Sequence, residues 1–209
     1  MLSGKVLGVF IRGWPANRCQ RLFGVMNKAK VIAVSGASGA GKTAVVEQLS
    51  KVFACPVLKF DDFVEADTYP ADMKKWLLNG ARTSEIKTPK LVAALRELAG
   101  QCRCDYIFLE EPFGYGRDAL APLIDRVVLL DPPMEICLSR LIQRNISNPS
   151  VDSLISIPGY LAKYDDYLRE CYLECVNQIR SHCNLVVQAH TSVEQTTKVI
   201  ADWLQSQAR

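Results

Sequence analysis

The sequence predicts a three-layer α/β sandwich with a mostly parallel central sheet. Short apolar runs rich in β-branched residues alternate with stretches of helical periodicity along most of the chain. No internal repeat and no linker rich in Gly, Pro or Ser interrupts this pattern, so we expect one main domain. Strands that alternate with helices pair in parallel through right-handed crossovers, which places helices on both faces of the sheet.

The individual elements follow from local patterns. KVIAVS, residues 30–35, is an apolar run followed by glycine, as expected for a buried strand, and residues 42–53 carry apolar side chains at helical spacing. Thr88 and Pro89 suit the N-cap and first position of a helix that continues to Gly100. In chain order we expect strand 30–35, helix 42–53, strand 55–60, a helical turn at 73–78, helix 89–99, strands 105–113 and 124–133, helix 134–144, a helical region over 158–182, strand 184–189 and helix 192–207.

The stretch GASGAGKT lies between the first predicted strand and the first predicted helix. It matches the pattern G-x-x-x-x-G-K-[ST], in which loop N–H groups and the helix dipole bind a polyphosphate. Lys42 is expected to neutralise the β- and γ-phosphate oxygens, and the Thr43 hydroxyl to ligate Mg²⁺. The sequence therefore predicts ATP and Mg²⁺ as cofactors, with the nucleotide bound by Gly36, Ala37, Ser38, Gly39, Ala40, Gly41, Lys42 and Thr43.

The presence or absence of further motifs distinguishes between classes of nucleotide-binding protein. The chain has no N-K-x-D base-reading motif of GTPases and no LSGGQ motif of transporter ATPases. A kinase of small molecules needs an acid at the end of the neighbouring strand, facing the acceptor hydroxyl. Asp61 and Asp62 stand there, and a turn-forming role is the alternative for either acid alone.

Four stretches, in order, resemble one group of kinases. GASGAGKT, KFDDF, FLEEPF and LIDRVVLLDPPMEICLSRLIQRN together are similar to the uridine kinase, nicotinamide riboside kinase and phosphoribulokinase group. The similarity covers roughly residues 29–207. It implies a nucleoside-kinase-like P-loop NTPase fold. It also implies transfer of the γ-phosphate of ATP to the alcohol group of a small-molecule acceptor, a nucleoside or ribosyl compound.

The resemblance also implies roles for individual side chains. Asp61 would be the general base that accepts the hydroxyl proton. Glu110 would help to hold Mg²⁺ through water, with Glu111 as its rival. Arg140 and Arg144 would belong to a lid over the triphosphate, and a solvated helix face is the alternative for both arginines.

The stretch that would recognise the acceptor departs from the family. Uridine kinases carry a His-Pro-x-Ala-hydrophobic-Asp segment, whereas this chain has TPKLVA, with Thr88 in place of His and Ala93 in place of Asp. The acceptor need not be uridine, because a site built to hydrogen-bond a sugar hydroxyl loses orders of magnitude in kcat/KM when that partner is missing.

Arg117 is a further candidate for a phosphate or substrate contact. Tyr69 and Trp76 are candidates for stacking on a planar acceptor, with buried packing as the alternative.

Two other functions stay open. A P-loop regulator would use ATP as a switch and have no small acceptor. A kinase related to phosphoribulokinase or pantothenate kinase would act on a sugar or vitamin that already bears a phosphate, and the changed nucleoside segment makes such an acceptor credible.

Charge and composition bear on partners and location. The net charge is +3, but the first 30 residues contain six Lys or Arg and no acid, so the other 179 residues carry a net charge of −3. A mildly acidic body gives no electrostatic reason to bind nucleic acid, and no apolar run approaches the roughly 18 residues that suggest a membrane span.

We expect residues 1–28 to be a basic extension, dispensable or transit-like, before a kinase domain at 29–209. The expected location is cytoplasmic, or organellar if the extension is a transit peptide. Family relatives are often oligomers, so a homo-oligomer is among the expectations.

Overall fold

The computed structural model describes residues 28–147, 151–188 and 191–207, and the side chains of residues 151–153 fall outside this description. In this part of the chain, five parallel strands form one sheet in the order β2-β3-β1-β4-β5. The prediction of a parallel α/β sheet is therefore confirmed. Residues 1–27 of the expected basic extension lie outside the described residues. The strands are β1 Lys30–Ser35, β2 Val57–Lys59, β3 Tyr106–Glu110, β4 Arg126–Leu130 and β5 Leu185–Val187.

Helices flank the sheet, and α1 packs against β1, β3 and α7, while α2 packs against α6. Among the described residues, none of these helices combines the length and apolar character needed to cross a membrane. The helices are α1 Lys42–Phe53, α2 Met73–Leu78, α3 Pro89–Gln101, α4 Met134–Ser147, α5 Val151–Lys163, α6 Arg169–Arg180 and α7 Val193–Ser206. Short 3₁₀ turns lie at Phe60–Phe63, Thr83–Glu85 and Ala121–Leu123, and a π turn at Tyr164–Leu168 joins α5 to α6.

The central strand β1 brings the sequence motif to one edge of the sheet. Its residues after Lys30 are buried, as expected for a parallel strand that is covered on both faces. Val34 of β1 and Lys59 of β2 both pair with Glu110 of β3. The carboxyl ends of three strands therefore meet, at the edge where open parallel sheets bind ligands.

Several element bounds differ by a few residues from the sequence-based expectation, and the differences at α5 and β2 have a clear physical reason. Helix α5 begins at Val151 and contains Pro158, where we expected the helix to start. Proline is usually found in the first turn of a helix, whereas here the helix continues through it. Strand β2 ends at Lys59 because the chain turns into a 3₁₀ segment, which buries Phe60 in the core and leaves Asp61 exposed.

Candidate active site

The loop between β1 and α1 forms a cradle lined by glycine. Gly36, Gly39 and Gly41 have φ angles of 138°, 84° and 100°, a region that glycine adopts without steric cost. A Cβ atom on Gly36 would lie 2.4 Å from the carbonyl oxygen of Leu130, and one on Gly39 would lie 2.1 Å from that of Cys137. Backbone from β4 and α4 thus closes the outside of the cradle, while its inside, at the start of α1, fits a polyphosphate.

Replacing Gly39 by Ala is expected to weaken the binding of a polyphosphate in the cradle, with Mg-ATP as the probe, by at least about tenfold. The added Cβ would meet the Cys137 carbonyl, so the loop would have to move. Titration calorimetry measures the loss. Gly80→Ala is the matched control, because Gly80 also has a positive φ, +91°, but has open space around it. The control should lower stability by about 1–2 kcal/mol and leave nucleotide affinity unchanged. Equal affinities in the two variants would contradict the steric argument.

Lys42 supplies a buried positive charge to the cradle. Its side chain is 8% exposed, and its Nζ donates a hydrogen bond to the carbonyl oxygen of Ala37 at 3.0 Å. Burial lowers the pKa of Lys42, and the carboxylates of Glu110 and Asp61 oppose this effect. An anion bound in the loop would stabilise the ammonium form further, so the charge suits a phosphate ligand.

Thr43 and Glu110 meet at the same edge of the sheet. The Thr43 hydroxyl lies 3.0 Å and 3.1 Å from the two carboxylate oxygens of Glu110 and donates to them. Burial raises the pKa of Glu110, and Lys42 opposes the rise. The described residues contain no group of three or more His, Cys, Asp or Glu placed to hold a metal. One hydroxyl and one carboxylate nevertheless fit Mg²⁺, which takes few protein ligands and keeps several waters.

Glu111, the alternative metal ligand in the sequence, contacts a different partner. Arg117 Nε donates to Glu111 Oε1 at 2.9 Å, and Arg117 Nη2 donates to Oε2, so the pair is bidentate. The carboxylate and the guanidinium are both buried. Since successive side chains at a strand end point to opposite sides, Glu110 meets Thr43 while Glu111 meets Arg117. The Arg117 guanidinium, a candidate for a phosphate contact, is thus engaged inside the protein.

Asp61 and Asp62 are both exposed, but they have different neighbours. Lys59, the last residue of β2, pairs with Glu110, the last residue of β3. Asp61 comes two residues after Lys59, just past this end of the sheet. The Asp61 carboxylate adds to the rise in the pKa of Glu110, whereas the charge of Asp62 acts on Lys59. Burial together with the Asp61 carboxylate raises the pKa of Tyr69 to about 12. Asp61 is therefore within electrostatic reach of Lys42 and Glu110 at the phosphate cradle.

The two arginines of α4 occupy different positions. Arg140 Nη1 donates to the carbonyl oxygen of Ala40 at 3.3 Å, so this side chain reaches the cradle. Arg144 is exposed one turn later. Burial raises the pKa of Tyr160 in α5, and Arg144 is among the groups that oppose this. Arg140 thus lies beside the cradle, the loop between β1 and α1, and Arg144 lies beside helix α5. A lid function for both arginines stays a prediction.

The two aromatic candidates for acceptor stacking differ in accessibility. Tyr69 is 41% exposed and packs edge-on against Phe60, with 6.2 Å between ring centroids. Trp76 is 3% exposed and donates its indole N–H to the carbonyl oxygen of Arg82 at 3.0 Å. Tyr69 therefore remains available to a ligand, whereas Trp76 is a core residue.

A contact that the sequence did not indicate joins the phosphate loop to α6. Burial raises the pKa of Tyr172, and Ser38 of the loop between β1 and α1 lies close enough to oppose the rise. The Tyr172 hydroxyl also lies 3.3 Å from that of Tyr160. Ser38 and Tyr172 are far apart in the chain, so no local pattern could have found this proximity.

A separate groove of about 760 Å³ lies beside the end of α6. Its lining includes none of the phosphate-loop residues and neither Asp61 nor Glu110. We assign it no part in this site. The groove is lined by Gly80, Arg82, Thr83, Ser84, Phe113, Tyr115, Gly116, Asp118, Gln178, Ile179, Ser181 and His182.

Comparison with known proteins adds one relative in sequence. No family model matches the chain. A uridine kinase from Schizosaccharomyces pombe is 26% identical over 187 aligned residues, which cover 77% of this chain. The chain spans about two fifths of the length of that protein, since the match covers 40% of it.

Solved structures show the fold. TT1252 from Thermus thermophilus matches with a TM-score of 0.54 and 15% identity, over 86% of this chain and 98% of that structure. A gluconokinase from Sinorhizobium meliloti 1021 matches with a TM-score of 0.50 and 15% identity, over 87% of this chain and 99% of that structure. Together with the strand-loop-helix cradle, these likenesses show that the chain has the α/β fold of P-loop nucleotide-binding proteins.

Proposed function

We propose that this protein is an ATP- and Mg²⁺-dependent kinase that transfers the γ-phosphate to a hydroxyl group of a small molecule, a nucleoside or related ribosyl compound. One observation carries the proposal: the exposed carboxylate of Asp61 stands at the same sheet edge as the buried Lys42 and the Thr43–Glu110 pair. A protein that only binds ATP needs no acid at this position. The uridine kinase relative supports the same class of reaction.

On the donor side, the N–H groups of residues 36–43 would hold the phosphates of ATP. Thr43 and Glu110 would hold a Mg²⁺ ion, which when bound neutralises part of the phosphate charge. The ammonium group of Lys42 would stabilise charge on the transferred group, and Arg140, which donates to the loop carbonyl of Ala40, would add a second positive charge. These groups are held by the fold before any ligand binds, so little reorganisation is needed at the moment of transfer.

On the acceptor side, Asp61 would accept the proton of the attacking hydroxyl. A positioned base of this kind contributes about 10²- to 10⁴-fold to the rate. Tyr69, with a pKa of about 12, stays a neutral phenol that can donate a hydrogen bond near Asp61. Its half-exposed ring is also available to stack on a planar group, which favours an acceptor with an aromatic base.

A substrate panel tests the proposal. The protein is incubated with Mg-ATP and with nucleosides, other ribosides, sugar phosphates or vitamins, and ADP release is followed for each compound. The proposal expects stimulation by an unphosphorylated nucleoside or riboside. Stimulation only by compounds that already bear a phosphate would show that the acceptor is a phosphorylated sugar or vitamin instead. Slow ADP release that no compound changes would favour a nucleotide switch.

The dependence on Mg²⁺ is expected to weaken as the pH falls. Burial raises the pKa of Glu110 above its ordinary value, so this carboxylate takes up a proton at a higher pH than an exposed Glu and then ligates the ion poorly. The Mg²⁺ concentration for half-maximal turnover is measured from about pH 8 to about pH 5. It should rise towards acid pH in the wild type, and it should be high and flatter with pH in Glu110→Gln. Identical profiles in the two proteins would contradict the assignment.

A further inference from the structure

We propose that Arg117 is a positioning residue that fixes Asp61 relative to Glu110 without touching the substrate. The inference rests on the proposed function, because it assigns to Arg117 the task of holding the two ends of the transfer site in place. Arg117 lies in the crossover from β3 to β4, outside the phosphate loop and 56 residues from Asp61 in the chain.

The first contact of Arg117 fixes the end of β3. Its two hydrogen bonds to the Glu111 carboxylate hold the residue directly after Glu110. The Phe113 N–H also donates to Glu111 Oε1, at 3.3 Å. Burial raises the pKa of Glu111, and the Arg117 charge opposes this rise, as expected for an ion pair formed inside the protein. A planar guanidinium that binds both oxygens allows one orientation of the partner, which a single charged contact would not.

The second contact of Arg117 fixes the segment that carries Asp61. The guanidinium carbon lies 5.0 Å from the ring centroid of Phe60 and 5.7 Å from that of Phe113. The two rings pack edge to face, 5.7 Å apart. Phe60 is 1% exposed and directly precedes Asp61, so the position of its ring determines where the Asp61 backbone begins. One side chain therefore connects the residue before Asp61 with the residue after Glu110.

The third contact of Arg117 reaches helix α3. Its Nη1 donates to the Thr88 hydroxyl at 2.8 Å, and Thr88 is 3% exposed. Thr88 occupies the N-cap position of α3, but its side chain makes no capping hydrogen bond there. We expected Thr88 to cap the helix, and its hydroxyl accepts from Arg117 instead. The guanidinium thus fixes three chain segments at one point.

A stabilising role alone predicts a different behaviour. Replacing both members of a buried ion pair by apolar residues of similar volume is often neutral for stability, or stabilising. The rigid, directional contacts of the pair are lost in such a replacement even when the fold is kept. The Arg117→Met, Glu111→Met double variant therefore separates a positioning role from a stabilising one.

The experiment compares three proteins with the wild type. They are the Arg117→Met, Glu111→Met double variant, Arg117→Lys, and the control double variant Lys198→Met, Asp202→Met, which removes an exposed ion pair in α7. Four properties are measured: melting temperature, affinity for Mg-ATP, hydrogen exchange of the amides of residues 60–63, and the kcat and KM for the acceptor found in the substrate panel.

The double variant should keep its melting temperature and nucleotide affinity, exchange the amides of 60–63 at least tenfold faster, and lose about 100-fold in kcat with little change in KM. Arg117→Lys should also lose kcat, because an ammonium group cannot bind both carboxylate oxygens in one plane. The Arg117→Lys variant still tests the inference if the double variant does not fold. The control should match the wild type in all four properties.

Other outcomes overturn the inference. Unchanged exchange and unchanged kcat in both Arg117 variants would show that Arg117 fixes nothing that matters to transfer. Parallel losses of melting temperature, nucleotide affinity and kcat would show a structural role only. A wild type that phosphorylates no compound would remove the proposed function and this inference with it, and the wild-type measurement alone identifies that case.

Discussion

Asp61→Asn is expected to lower acceptor-dependent phosphate transfer by about 10²- to 10⁴-fold while Mg-ATP affinity stays within a few-fold of the wild type. The amide of Asn has nearly the shape of the carboxylate but cannot accept the hydroxyl proton. The nucleotide loop and the Thr43–Glu110 pair lie on other segments and keep their contacts. Steady-state rates with the acceptor, together with titration calorimetry, measure both effects.

Asp62→Asn is the matched control for this change. Asp62 is the next residue, is also exposed and has the same chemistry, and its charge acts on Lys59. The control should retain most of the wild-type rate. If the two variants lose activity equally, the loss reflects the charge of the whole turn, and Asp61 is not the base.

Lys42→Met is expected to have two opposite effects. Transfer should fall by about 10²- to 10³-fold or more, because a cation placed at the phosphates is removed from a site shielded from water. The protein without ligand should at the same time melt at the wild-type temperature or higher. The melting curve without nucleotide and the rate with nucleotide are measured on the same preparation.

The effect on stability follows from the sign of the pKa shift. Burial lowers the pKa of Lys42, so the folded state binds this proton less tightly than the unfolded state does. The charged lysine therefore disfavours folding at neutral pH, and this penalty shrinks as the pH rises through the folded pKa. Lys51→Met, on the exposed face of the same helix, is the control and should change neither property. A Lys42→Met protein that melts well below the wild type would contradict the penalty.

The parts of the site that the sequence predicted are those set by short-range patterns. The phosphate loop is defined by eight consecutive residues between a strand and a helix, and the structure folds it with glycine at the positions of positive φ. Glu110 and Glu111 are adjacent, and the sequence left either one open as the metal ligand. Strand alternation separates them, since one contacts Thr43 and the other Arg117.

The parts that the sequence could not predict depend on contacts between distant segments. Arg117 and Thr88 are 29 residues apart, and their contact requires the crossover after β3 to fold back over the start of α3. No periodicity or spacing encodes that path. The start of α5 was also misplaced, since the helix begins at Val151 and Pro158 lies inside it.

The fate of the transferred phosphate tests the central claim most directly. The protein is incubated with the stimulating compound and with ATP labelled with ¹⁸O in the γ-phosphate, and the products are separated and identified by mass spectrometry. The proposed function predicts that the wild type attaches the ¹⁸O-labelled phosphoryl group to a hydroxyl oxygen of the acceptor, which itself stays unlabelled, and that Asp61→Asn forms almost none of this product. Label found only in inorganic phosphate, in both proteins and with every compound, would show an ATP hydrolase and contradict a kinase.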